Sequence, residues 1–263
     1  MSEFRRNLLT AMNKAEPPIT KDYLTIVALE DGLTAKLSVN ACEYCVDGNG
    51  NWKTLPADTE TETINAGHTL SFRGNLTPTS SNGIGTFTVN KYFNLKGNCM
   101  SLLFGDEGKV HFSLEGKNYV FIKLFYNNTK LLDASKFVLP AITLSSNCYV
   151  NMFGNCSSLI AAPQLPTTTL AEGCYGRMFQ NCISLTTAPD LLATTLIWKS
   201  YAYMFNGCSK LNYIKMLAIN ISVNADQWVD GVASSGTFVK NKDAKWNDVG
   251  VSGIPKGWTV ITE

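Results

Sequence analysis

Two cysteines eight residues apart are the first residues in this sequence whose spacing could support chemistry. They are Cys174 and Cys182, in the segment LAEGCYGRMFQNCISLTTAP. Such a pair can bind a metal ion, form a disulfide or fill an apolar interior. The sequence begins MSEFRRNLLTAMNKAEPP, which lacks the continuous apolar stretch of a secretory signal. We therefore expect all eight cysteines to be reduced, because disulfides persist mainly in exported proteins.

Other residues that could bind a metal or catalyse a reaction give weaker patterns. Cys42 and Cys45 are spaced like half of a zinc motif, but residues three apart on a strand face opposite sides of a sheet. The segment DGNGNW begins like a calcium loop and then has tryptophan where the loop needs glycine. His68 and His111 are next to no nucleophile motif in sequence. We predict no catalytic, cofactor-binding or metal site, and a cysteine–histidine pair formed by folding is the one enzymatic alternative.

The cysteines belong to a repeat of 26 residues that aligns residues 139–164, 165–190 and 191–216. The positions shared by the three copies are Met152, Phe153, Cys156 and Leu159, then Met178, Phe179, Cys182 and Leu185, then Met204, Phe205, Cys208 and Leu211. Repeats of this length predict stacked coils whose equivalent positions lie about 4.8 Å apart. We predict that these twelve residues form the repeat core. In that core, the cysteines are apolar filler rather than zinc ligands.

The segments around the repeats predict a helix and several strands. Residues 2–14 have apolar residues at helical spacing and end before Pro17, which indicates a short amphipathic helix. A helix this short needs a partner surface or its own chain to pack against. The candidate partner-binding residues are Phe4, Arg5, Arg6, Leu8, Leu9 and Met12. Between Tyr23 and about Gly97, six runs with alternating apolar residues and regular turns predict an antiparallel β-sandwich.

Charge and hydropathy exclude two classes of partner. Lysine and arginine number 22 against 21 acidic residues, for a net charge of +1. That balance gives no electrostatic reason to bind nucleic acid. No run approaches the roughly 20 apolar residues that cross a bilayer, so we expect no membrane span.

The repeats resemble those of the BspA-like leucine-rich-repeat surface proteins of gut Bacteroidales and their phages. The resemblance rests on LPTTTLAEGCYGRMFQNCISLTTAP and its two in-register copies. It implies a right-handed solenoid with one short strand per coil, used for adhesion or protein contact. The fold class expected is therefore mainly β, with a short N-terminal helix, an antiparallel β-sandwich and a leucine-rich-repeat solenoid. The expected divisions are an anchor helix and linker at 1–20, the sandwich at 21–97, the solenoid at 98–216 and a C-terminal cap at 217–263.

A second, shorter resemblance concerns the start of the chain. SEFRRNLLTAM followed by YLTIVALEDG resembles the N-terminal part of gut-phage virion proteins. The two resemblances imply a non-enzymatic virion protein, such as a head fibre, that is assembled in the host cytoplasm. Its N-terminus would join other capsid or tail proteins, its solenoid would meet a host protein or glycan, and it would be a homo-oligomer, with a trimer as one option. The alternative is a bacterial cell-surface adhesin or glycan-binding module.

Overall fold

A computed structural model describes residues 22–79 and 82–263 of the chain. The strands are β1 (Leu24–Ala28), β2 (Ala35–Leu37), β3 (Cys42–Val46), β4 (Lys53–Leu55), β5 (Thr69–Arg73), β6 (Phe87–Val89), β7 (Phe93–Asn98), β8 (Leu131–Val138), β9 (Tyr213–Met216), β10 (Thr237–Lys240) and β11 (Thr259–Thr262). The helices within these residues are short: α1 (Ser101–Phe104) and two 3-10 helices, Gly105–Val110 and Ser222–Ala225. The anchor helix predicted for residues 2–14, with its candidate residues Phe4 to Met12, lies outside the described residues.

The N-terminal sheet has six strands in the order β4-β3-β5-β1-β7-β8. Its first five strands are antiparallel, whereas β8 pairs parallel to β7, from Phe93 opposite Leu131 to Asn98 opposite Val138. Strands β2 and β6 form a separate antiparallel pair. The predicted antiparallel β-sandwich is therefore wrong, because the sheets have mixed orientation. The parallel strand comes from the repeats, so one sheet spans residue 97, where a domain boundary is predicted.

The repeats are built from chained turns that hydrogen-bond to one another. We call residues 119–128, 147–156, 173–182 and 199–208 the turn units. Within the second unit, the amide of Met152 donates to the carbonyl oxygen of Tyr149 three residues earlier (3.2 Å). The next amide, of Phe153, donates instead to Met178 in the following unit (2.9 Å). Alternate residues repeat this pattern in all four units, so the buried backbone is paired without forming strands.

The predicted leucine-rich-repeat solenoid, with one strand per coil, is also wrong. The described chain has no strand between residues 139 and 212, where only single bridges such as Asp133–Ala161 and Thr187–Tyr213 occur. Parallel strands return at the C-terminal end, where β9, β10 and β11 form a three-stranded sheet. The aligned sequence positions do stack, but the turns of the backbone replace the expected strands.

Positive φ angles recur every four residues in the turn units. In the second unit they occur at Asn147 (57°), Asn151 (54°) and Asn155 (61°). Asparagine and glycine adopt this left-handed conformation more readily than other residues. Between these positions the chain alternates two inward side chains with two outward ones, for example Met152 and Phe153 inward. This period of four is neither that of a strand nor that of a helix.

The inward side chains of the turn units form one continuous core. All twelve repeat-core residues predicted from the sequence are fully buried. The phenylalanine rings stack from unit to unit, with 5.8 Å between the centroids of Phe125 and Phe153 and 5.6 Å between those of Phe153 and Phe179. Phe87 of β6 stacks on Phe125 at 5.4 Å and so joins the ring column to the N-terminal sheets.

Candidate functional site

Three of the five buried cysteines in the turn units donate hydrogen bonds along the stack. The thiols of Cys156, Cys182 and Cys208 each face the carbonyl oxygen of a phenylalanine in the preceding unit. The Sγ–O distances are 3.2 Å from Cys156 to Phe125, 3.1 Å from Cys182 to Phe153 and 3.0 Å from Cys208 to Phe179. The cysteine column therefore combines apolar bulk with a weak donor. The sequence prediction of plain filler missed this donor.

Asn128 occupies the cysteine position of the first turn unit and plays the same part. Its Nδ2 donates to the carbonyl oxygen of Phe87 (2.7 Å) and to that of Phe125 (3.0 Å), and its Oδ1 accepts from the amide of Val89 (3.1 Å). The side chain is 5% exposed. The signal was present in the sequence, because a filler role predicts alanine or valine at this position and not a hydrogen-bond donor.

Burial makes these thiols unreactive. It raises the pKa of Cys174 and of Cys208 to about 12, and it raises the pKa of Cys182 well above the ordinary value. The thiolate is the form that attacks electrophiles and binds metals, so both reactions are suppressed at neutral pH. Within residues 22–79 and 82–263, no three histidine, cysteine or acidic side chains are grouped so that they could hold a metal ion.

Cys45, His68 and His111 were the other candidates for chemistry, and each has a different partner. Cys45 donates through Sγ to Asn49 Oδ1 at 3.4 Å, inside the DGNGN turn. His68 Nδ1 lies 2.6 Å from Asp47 Oδ2 at the same end of the sheet. His111 stacks on Phe104, with ring centroids 3.8 Å apart. His68 thus contacts a carboxylate and His111 contacts an aromatic ring, and these contacts do not involve a cysteine.

A polar concavity of about 460 Å³ lies beside Arg73, where β5 meets the first 3-10 helix. Arg73 donates to Glu43 Oε2 (2.8 Å) and Asp106 Oδ1 (2.7 Å), and its guanidinium lies 4.2 Å from the centre of the Trp52 ring. Tyr23 also donates to Asp106 Oδ1 (2.7 Å). These charges satisfy one another, so the cluster fastens the 3-10 helix to the sheet.

The outward face of the turn units carries large side chains at strained positions. Some residues with positive φ angles are neither glycine nor asparagine, and we call this set the left-handed face. Its members are Tyr119, Lys123, Arg177, Lys199 and Tyr203, with φ between 53° and 59°. Each costs about 1 kcal/mol or more relative to glycine in this conformation. Other turn units have asparagine or glycine at the equivalent positions, so the same chain shows that residues with a lower conformational cost fit there.

The cations of the left-handed face lie over aromatic rings. The Arg177 guanidinium lies 4.2 Å from the centre of the Tyr203 ring. The Lys199 Nζ lies 5.0 Å from that of Trp198, which is 50% exposed. Such cation–π contacts hold the charged groups in place while their outer sides face solvent. Between Arg177 and Lys199 the surface sinks into a groove of about 300 Å³.

Comparison of the chain with protein-family models, curated proteins and solved structures found no match. No helix of the described chain has the length and apolar character to cross a bilayer.

Proposed function

We propose that this chain is a non-enzymatic virion protein of a phage of gut Bacteroidales, a head fibre or similar appendage. The left-handed face would meet the host surface, and the rest of the stack would hold that face rigid. The observation that carries the proposal is the choice of tyrosine, lysine and arginine at positions where the fold favours glycine or asparagine. Backbone strain of this kind is concentrated at functional sites.

The construction of the stack supports a display role. Five backbone hydrogen bonds run from donors at residues 147, 149, 151, 153 and 155 of the second turn unit to the third unit and to Glu172 just before it. Outward side chains on such a scaffold keep fixed spacings, which lowers the entropy lost when a partner binds. Burial raises the pKa of the Cys174 and Cys208 thiols and so lowers their reactivity, which favours a structural protein over a cysteine-dependent enzyme.

Attachment to the particle through residues 2–14 completes the proposal. It rests on the sequence pattern alone, in which Phe4, Leu8 and Met12 share one side of a predicted helix. Several copies on one particle would strengthen weak contacts with a host cell through multivalency. A homo-oligomer, with a trimer as one option, would provide such copies.

The test combines labelling of particles with binding to host cells. An antibody against the chain should decorate purified phage particles in electron micrographs, and particles carrying a chain without residues 1–16 should lose the label. The purified protein should bind host cells, and a variant with Tyr119, Lys123, Arg177, Lys199 and Tyr203 all changed to asparagine should fold and bind them poorly. Label found on the bacterial envelope and absent from particles would favour the cell-surface adhesin instead.

A further inference from the structure

The third turn unit differs from its neighbours by lacking two outward side chains. At one outward position the four units have, in order, Ile122, Val150, Gly176 and Ala202. At another outward position they have, in order, Tyr119, Asn147, Gly173 and Lys199. The missing side chains leave the groove of about 300 Å³ on the left-handed face. That volume lies at the lower end of the range for small-molecule sites.

The backbone does not require glycine at residue 176. Its φ is not positive, and a Cβ there would meet the carbonyl oxygen of Gly173 at 3.3 Å and that of Lys199 at 3.7 Å. The first contact is tighter than most Cβ contacts and would need a shift of a few tenths of an ångström, whereas the second is ordinary, and valine occupies the same position one unit earlier. Gly173 differs, because its φ is +58° and a Cβ would lie 2.3 Å from Oδ1 of Asn147. A positive φ therefore accounts for Gly173 but not for Gly176.

The residues around the opening are polar and carry one surplus positive charge. Arg177 and Lys199 stand on its walls with Tyr203, and Asp226 and Asn147 complete them. Arg177 keeps one contact to its own unit, from Nη1 to Gln180 Oε1 at 3.3 Å, so most of its donors are left for a ligand. The Asp226 carboxylate accepts from Ser252 Oγ at 3.5 Å and can accept further hydrogen bonds.

We infer that this groove binds a monoanionic sugar, meaning a polyhydroxylated ring that carries one carboxylate or one sulfate. The inference rests on the proposed function, since it names the ligand class of the left-handed face. Arg177 and Lys199 bind the anionic group, and Asp226 and Asn147 bind ring hydroxyl groups. Val150, Ala202 and the Tyr203 ring add apolar surface against which a sugar ring can pack. Asp226 also repels dianions such as phosphate monoesters.

The test titrates the purified chain with three sugars and follows binding by calorimetry. The sugars are cellobiouronate, which has one carboxylate, a monosulfated disaccharide and the uncharged cellobiose. Arg177→Asn should weaken binding of the charged sugars at least tenfold, because it replaces the guanidinium with the asparagine that the preceding unit has at this position (Asn151). Gly176→Val should weaken it similarly by filling the groove. Lys210→Asn removes an exposed positive charge away from the groove and the left-handed face, and it should leave the affinity within twofold.

Each outcome decides between the possibilities. Tighter binding of cellobiouronate identifies a carboxylate ligand, and tighter binding of the sulfated sugar identifies a sulfate ligand. Equal binding of cellobiose, no binding of any sugar by the parent protein, or an equal loss in Lys210→Asn would overturn the inference. Gly176→Val keeps the test decisive if Arg177→Asn fails to fold.

Host-cell binding separates this inference from the proposed function. A parent protein that binds cells and none of the three sugars removes the inference and leaves the proposed function standing. A parent protein that binds a charged sugar but neither cells nor particles removes the proposed function and leaves the groove as a sugar site.

Discussion

At the scale of single residues, the thiols of Cys156, Cys182 and Cys208 serve two physical needs at one position. Each fills space in the buried core, and each donates to a carbonyl oxygen that already accepts a backbone amide, as the Phe153 oxygen accepts from the amide of Cys156 and the thiol of Cys182. Cysteine is among the few small side chains with both properties. Asn128 shows that the donor is used even where the thiol is absent.

Substitutions of Cys182 separate the two needs. Cys182→Ser keeps a donor near the Phe153 carbonyl oxygen and should lower the free energy of unfolding by less than about 1 kcal/mol. Cys182→Val keeps apolar bulk but adds a methyl group and removes the donor, so it should cost about 1–3 kcal/mol. Urea denaturation followed by circular dichroism measures both. If valine is tolerated better than serine, the cysteines act as filler, as the sequence alone predicted.

Ser200 offers the reverse experiment. It is fully buried, and its Oγ has no hydrogen-bond partner within the described chain, whereas the two preceding units have Cys148 and Cys174 at this position. A buried hydroxyl without a partner is costly. Ser200→Cys should therefore raise the free energy of unfolding by about 1 kcal/mol. Thermal denaturation beside Ser200→Ala as a control measures the gain, and a lower melting temperature for the cysteine variant would contradict it.

At the scale of elements, the repeat could be located from sequence but its backbone could not. The spacing of Phe153, Phe179 and Phe205 identified the period and the buried side chains. It gave no sign of chained turns, because a pattern of two inward and two outward residues matches neither helix nor strand. The recurring Asn147, Asn151 and Asn155 were the available signal, since their spacing of four matches the left-handed positions.

The candidate site shows the same division between side chains and backbone. Sequence patterns selected the core and the N-terminal residues, and they missed Arg177, Lys199 and Tyr203. Arg177 and Tyr203 lie one 26-residue period apart, and Lys199 precedes Tyr203 by four residues. The period therefore predicts that Arg177 and Tyr203 stack, but it gave no sign that these positions have a left-handed backbone and line a groove.

Phe179→Ala tests how strongly each ring supports the stack. Phe179 lies between Phe153 and Phe205, with centroid distances of 5.6 and 5.7 Å, so its removal leaves two rings without a neighbour. The expected loss is about 3–5 kcal/mol of unfolding free energy. Chemical denaturation measures it, with Ile183→Ala as a control because Ile183 is 46% exposed. A melting curve equal to that of the parent would contradict the position of Phe179 in the core.

At the scale of the whole molecule, the N-terminal sheets and the turn units share one core. Phe87 of β6 stacks on Phe125, and β7 pairs with β8. Two separate domains at residues 21–97 and 98–216, as the sequence predicts, would let the strands stay folded when the repeats lose order. The shared core predicts instead that both parts unfold together in the intact protein.

Asn128→Ala tests this coupling, because Asn128 bridges β6 and the first turn unit. The change removes three hydrogen bonds and leaves the buried amide of Val89 without its partner, at a cost of about 2–4 kcal/mol. Hydrogen exchange should show faster exchange in β1 and in the turn units together. Asn155→Gly is the control, since Asn155 also makes three side-chain bonds, donating to Tyr126 and Asn127 and accepting from Asn181, and glycine tolerates its φ of 61°. Faster exchange confined to the turn units would show that the two parts unfold separately.

The direction of the hydrogen bonds between turn units has a mechanical consequence. Those bonds run from one unit to the next, so a force that pulls the C-terminal end away loads one interface at a time. Each interface would break as a group of about five bonds and release one repeat of 26 residues, or about 90 Å of extended chain. A single protein stretched between a bead and a surface would lengthen in equal steps. An appendage built this way would absorb shear by yielding repeat by repeat while its remaining units stayed attached.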